Sequence, residues 1–215
     1  MNRTQKQIPE NVNWVERVLD LASLLEKKSY FLLGPRQTGK TFLIHHALKD
    51  ARVYDRLDTS IYLALSQNPG RIAQEITARD QIVVIDEIQR LPVLLNEVHR
   101  LIEAHRIHFL LTGSSARKLR HGSVNLLGGR ARIKYLHPLV YKELGNLFDL
   151  HRAIERGLLP SIYFSDDPAA DVKAYTGLYL QQEIVAEGVT RNIPAFSRFL
   201  KVAAHCNGTI VNFTN

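Results

Sequence analysis

The sequence predicts an α/β fold, a five-stranded parallel sheet with helices on both faces, followed by a small all-helical region. Three observations predict it. Five short apolar runs alternate with stretches of helical periodicity between residues 12 and 136, the pattern of crossover connections between parallel strands. One of those runs, Ile82-Val83-Val84-Ile85, is unbroken and β-branched, as in a strand covered on both faces. Beyond Pro138 only helical patterns remain.

The elements follow in order. Residues 1–11 read as a flexible tail. From Val12 to Lys28 the residues Val12, Val15, Val18, Leu19, Ala22 and Leu25 recur at three- and four-residue steps, which predicts an amphipathic helix. Tyr30–Leu33 is the first strand, Gly34–Gly39 a glycine-bounded loop, and Thr41–Lys49 a helix. Arg52–Leu57 is the second strand, and Asp58 or Thr59 caps the helix after it. Asn68-Pro69-Gly70 ends that helix and Arg71–Ala78 starts another. Ile82–Ile85 is the third strand, Pro92 opens a helix to His105, and Ile107–Thr112 and Arg132–Leu136 are the last two strands. Helices are then expected at Tyr141–Leu147, His151–Arg156, Val172–Glu187 and Ala195–Cys206, with loops at Asp166-Asp167-Pro168 and from Gly188 to Pro194.

Composition narrows the class. Of 215 residues, 45% are hydrophobic and 23% charged, enough apolar material for a real core. Apolar runs such as Ile82–Ile85 and Phe109–Leu111 are strand-sized, far short of the roughly 20 residues a membrane helix needs. The polar start, Met1–Glu10, lacks a signal peptide's apolar stretch. A single cysteine, Cys206, rules out an internal disulfide and a cysteine-built zinc site, so a reducing cytoplasmic setting is expected. The nine histidines show no metal-ligand spacing. The net charge of +7 is concentrated: residues 104–142 contain no Asp or Glu but carry Arg106, Arg117, Lys118, Arg120, Arg130, Arg132, Lys134 and Lys142. Such a region should meet something anionic: a nucleotide, a neighbouring subunit's nucleotide or nucleic acid. A plain solvated surface is the alternative.

The chemistry gathers at strand ends. Gly34-Pro35-Arg36-Gln37-Thr38-Gly39-Lys40-Thr41 fits G-x-x-x-x-G-K-[ST] in full, with a strand before and a helix after. Glycines permit positive φ and close backbone approach to phosphate. Successive amides form an anion nest, aided by the dipole of the following helix. Lys40 is expected to reach the β- and γ-phosphates, and the Thr41 hydroxyl to bind Mg²⁺. Asp86 and Glu87 end the third strand; Asp86 would hold Mg²⁺ and Glu87 would orient the attacking water. Thr112 ends the fourth strand and could sense the γ-phosphate, with Ser114 as second choice and capping of a following helix as the alternative. Gly128-Gly129-Arg130 precedes the last strand. Arg130 could serve the γ-phosphate of a neighbouring subunit, contact a phosphate in its own chain, or be an interface residue; Arg132 is the other candidate. Asp58 reads as a helix cap rather than a metal ligand.

The run Phe31–Thr41, with Asp86-Glu87-Ile88-Gln89, Leu111-Thr112-Gly113-Ser114, Gly129-Arg130 and His137-Pro138-Leu139 followed by Glu143, resembles a prokaryotic AAA-type ATPase family of AAA+/STAND-like character. The resemblance spans residues 12–206. It implies a P-loop core with strand order 5-1-4-3-2, a sensor at Thr112 and an arginine near Arg130 that serves a neighbour. In that family the core precedes a helical region, a winged-helix-like segment and a nuclease-like C-terminal domain of unknown role. Gly157-Leu158-Leu159-Pro160 resembles the glycine–proline turn of related signalling ATPases, and Phe196–Asn215 resembles the opening of the winged-helix segment. The implied layout is a tail at 1–11, an ATPase core at 12–138, a helical lid-like region at 139–194 and the start of a truncated winged-helix-like segment at 195–215.

The expected function is Mg-dependent binding of ATP and ADP and hydrolysis of ATP, driving a conformational cycle, with a homo-oligomer if Arg130 acts in trans. A nucleotide switch without turnover, and a nucleic-acid-binding module using residues 104–142, are the alternatives.

Overall fold

A computed structural model describes residues 14–55, 57–105, 107–114, 127–179 and 192–210. The expected tail at 1–11, Ser115, the basic residues Arg106, Arg117, Lys118 and Arg120, and the stretches 180–191 and 211–215 lie outside the described residues. The chain divides into two compact units, residues 1–164 and 165–215.

The first unit is built on five parallel strands: β1 (Ser29–Leu33), β2 (Arg52–Asp55), β3 (Ile82–Asp86), β4 (His108–Gly113) and β5 (Ala131–Tyr135). Their order is β2-β3-β4-β1-β5, which read from the other edge is 5-1-4-3-2. This is the core of a P-loop NTPase. Helices α1 (Leu21–Leu25), α2 (Lys40–Ala47), α3 (Thr59–Gln67), α4 (Arg71–Glu75) and α5 (Leu94–His105) connect and flank the strands.

Alternation of side chains explains how both faces are covered. Phe31 and Leu33 of β1, Ile85 of β3 and Phe109 and Leu111 of β4 pack with Leu65 of α3, Ile72 of α4 and Val98 of α5. Their neighbours Tyr30, Leu32, Val84 and Leu110 point the other way, onto Leu21 and Leu25 of α1 and Leu43 and Ile44 of α2. All five residues of β1 are buried, as befits a strand between β4 and β5. The edge strand β5 instead exposes Arg132 and Lys134.

Four expectations are corrected. Among the described residues, the helix expected over Val12–Lys28 covers only Leu21–Leu25; residues 14–20 run non-helically. The apolar residues there serve different environments. Trp14 stacks on His46 and Phe42 of α2, with ring centroids 3.8 and 5.3 Å away. Val15 joins a separate cluster with Leu139, Leu144 and Tyr163. Asp20 then starts the short helix by accepting from the Ser23 amide at 3.1 Å. Second, β2 stops at Asp55 rather than Leu57, where the Asp55 carboxylate turns the chain by accepting from the Leu57 amide at 2.9 Å. Third, between the helices expected at His151–Arg156 and Val172–Glu187, Pro160 opens a helical turn that was not expected, Pro160–Tyr163, with proline at its first position. Fourth, Pro168, expected in a loop, begins the helix Pro168–Tyr179.

Helices α6 (Tyr141–Leu144), α7 (Leu150–Arg156) and α8 (Pro160–Tyr163) follow the sheet. These helices belong to the first unit, which extends to residue 164. Tyr163 is fully buried, and its hydroxyl donates to the Leu147 carbonyl and accepts from the Asp149 amide, each at 2.8 Å. The second unit contributes α9 (Pro168–Tyr179) and α10 (Ile193–His205). Asn192 caps α10 through a 2.9 Å bond from the Ala195 amide.

Candidate nucleotide site

Parallel register brings the chemistry to one edge. Leu33 of β1 lies beside Gly113 of β4, and Asp55 of β2 beside Asp86 of β3. The loop after β1 therefore rises next to the ends of β3 and β4, where ligands of such sheets bind. Its first residue is pressed between strands: Gly34 donates to the Gly113 carbonyl at 3.2 Å. A Cβ on Gly34 would lie 2.2 Å from the Leu136 carbonyl oxygen. The loop turns through left-handed backbone at Gln37 (φ 63°) and Gly39 (φ 88°). Gly39 precedes α2 and offers no side chain to cap its first turn, and the N-terminal end of a helix favours an anion.

Side chains fix the loop from within. Thr38 is fully buried and donates to the Pro35 carbonyl at 2.9 Å. The Lys40 ammonium donates to the carbonyls of Gly34 (2.7 Å) and Pro35 (2.8 Å), and only 7% of the residue is exposed. Arg36 is half-buried on the loop, and Gln37 accepts from the Ser161 hydroxyl at 3.0 Å.

The acids join this loop through hydroxyls. Thr41 donates to Asp86 Oδ2 at 3.1 Å. The other oxygen, Oδ1, accepts from the hydroxyl of Thr112, which in turn accepts from the Glu87 amide at 3.0 Å. Asp86 is 4% exposed and Thr112 fully buried. Glu87 leaves the strand in the left-handed region at φ 57°, ψ 46°, a conformation uncommon for a side chain of this size. Its carboxylate accepts from the Gln89 side chain through Nε2. The Ser114 hydroxyl is buried without a hydrogen-bond partner among the described residues. Thr41 and Asp86 thus present hard oxygen donors side by side, the donor set that magnesium prefers.

Lys40, Thr41, Asp86, Glu87 and Thr112 are brought together; Arg130 is not. It precedes Ala131, which pairs with Ser29 at the start of β1. A five-residue strand separates it from the phosphate-loop edge, about 16 Å at ~3.3 Å per residue. There it donates to Glu103 through Nε at 2.8 Å. Hydrogen bonding and the nearby charge of Arg130 hold the Glu103 carboxyl below its ordinary range. Lys27, Lys28 and His108 line the same cleft. Asp58 caps α3 by accepting from the amides of Ser60 (2.8 Å) and Ile61 (3.4 Å).

Sequence reasoning missed Arg17 and gave Glu143 no role. Arg17 lies in the stretch read as an amphipathic helix, a reading that rested on its apolar residues alone. Its guanidinium instead donates to the loop carbonyl of Thr38 at 2.8 Å.

A parallel sheet of this order with a glycine-lysine-threonine loop and strand-end acids at one edge defines a P-loop NTPase. The family model described as an AAA domain matches residues 26–145, more than half of the chain, and the chain belongs to that AAA family. No curated protein matches it. Among solved structures, it is similar to domain III of the Thermotoga maritima replication initiation protein DnaA, at 16% identity over 80% of this chain and 83% of that one, with a TM-score of 0.40. It is similar to replication initiator DnaA bound to AMPPCP and single-stranded DNA, at 15% identity over 84% of this chain and 58% of that one, TM-score 0.41. Drosophila ORC bound to DNA follows at 16% identity, 83% and 62% coverage, TM-score 0.36. The chain spans 58% and 62% of the last two structures.

Proposed function

We propose that this chain binds ATP and ADP with Mg²⁺ and hydrolyses ATP to drive a conformational cycle. The observation that carries this reading is the 3.1 Å bond from the Thr41 hydroxyl to Asp86 Oδ2, which joins the phosphate loop to the strand-end acids. The main-chain amides of residues 34–41 and Lys40 are suited to the phosphates. Magnesium, when bound, supplies charge neutralisation between phosphate oxygens, and Thr41 and Asp86 are the residues to hold it. Glu87 orients and polarises the attacking water. Thr112 ties Asp86 to the Glu87 backbone, so a change in its hydrogen bonding reaches both acids; this supports a sensing role.

Titration of a fluorescent ATP analogue, with and without Mg²⁺, tests the reading. Lys40→Ala is expected to abolish binding, and Glu87→Gln to bind without releasing phosphate. A folded wild-type protein that shows no binding at millimolar Mg-nucleotide would sink it.

Oligomerisation with Arg130 acting in trans belongs to the same proposal, since its position at the opposite edge of the sheet disfavours contact with a nucleotide in its own chain. A second reading, nucleic-acid binding, is favoured by the exposed Arg132, Lys134 and Lys142. Phosphate contacts predict affinity that falls steeply with salt, and a salt-independent mobility shift would remove it.

A further inference from the structure

We propose that Arg17 is a positioning residue that clamps the phosphate-binding loop, with Glu143 as its anchor; the functional part of this inference rests on the nucleotide reading above.

Arg17 makes two directed hydrogen bonds and one ion-pair contact, its Nε finding no hydrogen-bond partner among the described residues. Nη1 donates to the Thr38 carbonyl at 2.8 Å, Nη2 donates to the His137 carbonyl at 2.7 Å, and Nε lies 2.9 Å from Glu143 Oε1. Glu143 is itself fixed, accepting from the Val18 amide at 3.0 Å and the Val140 amide at 3.1 Å. Both side chains are 5% exposed. One guanidinium thus joins three segments far apart in sequence: the strap before α1, the phosphate loop, and the chain leaving β5.

A buried ion pair is weak evidence of net stabilisation, because desolvation offsets the attraction and an apolar pair of equal volume often does as well. An apolar pair, however, gives no direction. The planar fork of arginine does, and lysine cannot reproduce it. The contact that matters is with Thr38. In a trans peptide the C=O and the following N–H point in opposite directions. Drawing the Thr38 carbonyl toward Arg17 therefore fixes the Gly39 amide on the side away from it. Gly39 is the left-handed residue on which the loop passes into α2, and its carbonyl accepts from Leu43 at 2.9 Å. With Glu143 balancing its charge, Arg17 acts by setting geometry rather than by adding positive potential.

Arg17→Lys and Arg17→Gln in the full chain test this, with two readouts. Amide hydrogen exchange of residues 38–41 needs no nucleotide. In both variants it should accelerate at least tenfold, with β1, β3 and β4 unchanged. Mg-ATP affinity should fall about tenfold to a hundredfold, as expected for losing a hydrogen bond from a charged group. The exchanged pair Arg17→Glu with Glu143→Arg restores the charges but not the Thr38 contact, so it should regain thermal stability without regaining affinity. Loop exchange unchanged in Arg17→Lys, or affinity restored by the exchanged pair, overturns the clamp. If Arg17→Gln does not fold, Arg17→Lys decides, since it keeps a cation beside Glu143. A wild type that binds no nucleotide would defeat the proposed function alone, because the exchange measurement still judges the clamp.

Discussion

The Thr112 hydroxyl serves both acids, donating to the Asp86 carboxylate and accepting from the Glu87 amide. Thr112→Val keeps the shape and removes the hydroxyl. It leaves buried polar groups unpaired, at about 1–3 kcal/mol each. The expected result is a lower melting temperature and reduced phosphate release, whereas Thr112→Ser should stay near wild type. Equal turnover in Thr112→Val would argue against a role in aligning the acids. Gly34 offers a second test. Its substitution by Ala forces a Cβ to within 2.2 Å of the Leu136 carbonyl, so the loop must move away from the end of β5. A loss of about 1–3 kcal/mol is expected from such overpacking, readable by chemical denaturation. The sequence made Lys40, Thr41 and the strand-end acids legible because their spacing is set by contiguous backbone. Arg17 and Glu143 were not legible as a pair, because their partnership depends on folding across 125 intervening positions. No local pattern encodes which carbonyl a buried arginine will meet.

At the scale of the element, the sheet was readable because β-branched and apolar runs reflect burial on two faces. The strand order came from family resemblance, since periodicity alone does not order strands. The strap before α1 was misread for a physical reason: Val15 and Leu19 have helical spacing but pack in different clusters. At the sheet's other margin, Arg52 of β2 bonds Asp80 at 3.0 Å, and Tyr54 bonds Glu75 at 3.0 Å. Burial works to raise the Asp80 carboxyl, but hydrogen bonds from Arg52 and Thr77 outweigh it and hold the group below its ordinary range. Glu75 behaves likewise through Arg71 and Tyr54. Burial, reinforced by Glu75, pushes the Tyr54 phenol upward. Depressed carboxylates contribute stability fully above their ordinary range, and lose it as pH falls through the depressed values. A raised phenol contributes below the ordinary value of 10.0 and loses that contribution as pH climbs past it. Melting temperature should therefore fall below pH about 4 and above about 10. Asp80→Asn should be less stable at neutral pH, with a shallower acid limb. An acid limb identical to wild type would show that this cluster does not govern acid stability.

For the whole molecule, the decisive feature is that Arg130 and the phosphate loop occupy opposite edges of one sheet. If Arg130 serves a neighbouring copy, Arg130→Ala should leave nucleotide affinity near wild type and lower turnover by about 10³-fold or more. Wild-type turnover per chain should also rise with protein concentration. Concentration-independent turnover, unaffected by Arg130→Ala, would exclude that arrangement. The sequence left three roles open for Arg130, although a residue that precedes a strand of a parallel sheet lies at the edge away from the strand ends; pairing of Ala131 with Ser29 puts it there.

The interior place of β1 between β4 and β5, strands that begin almost eighty and a hundred residues later, means that the pocket has no local precursor. Threonine, aspartate and loop meet only after most of the first unit has closed, a topology of high contact order that tends to fold slowly. A nucleotide recognising only the finished arrangement would bias the equilibrium toward it, by about 4 kcal/mol at a thousand times its dissociation constant. The cell's supply of ligand would then influence how much of the chain survives proteolysis, as well as how fast it turns over.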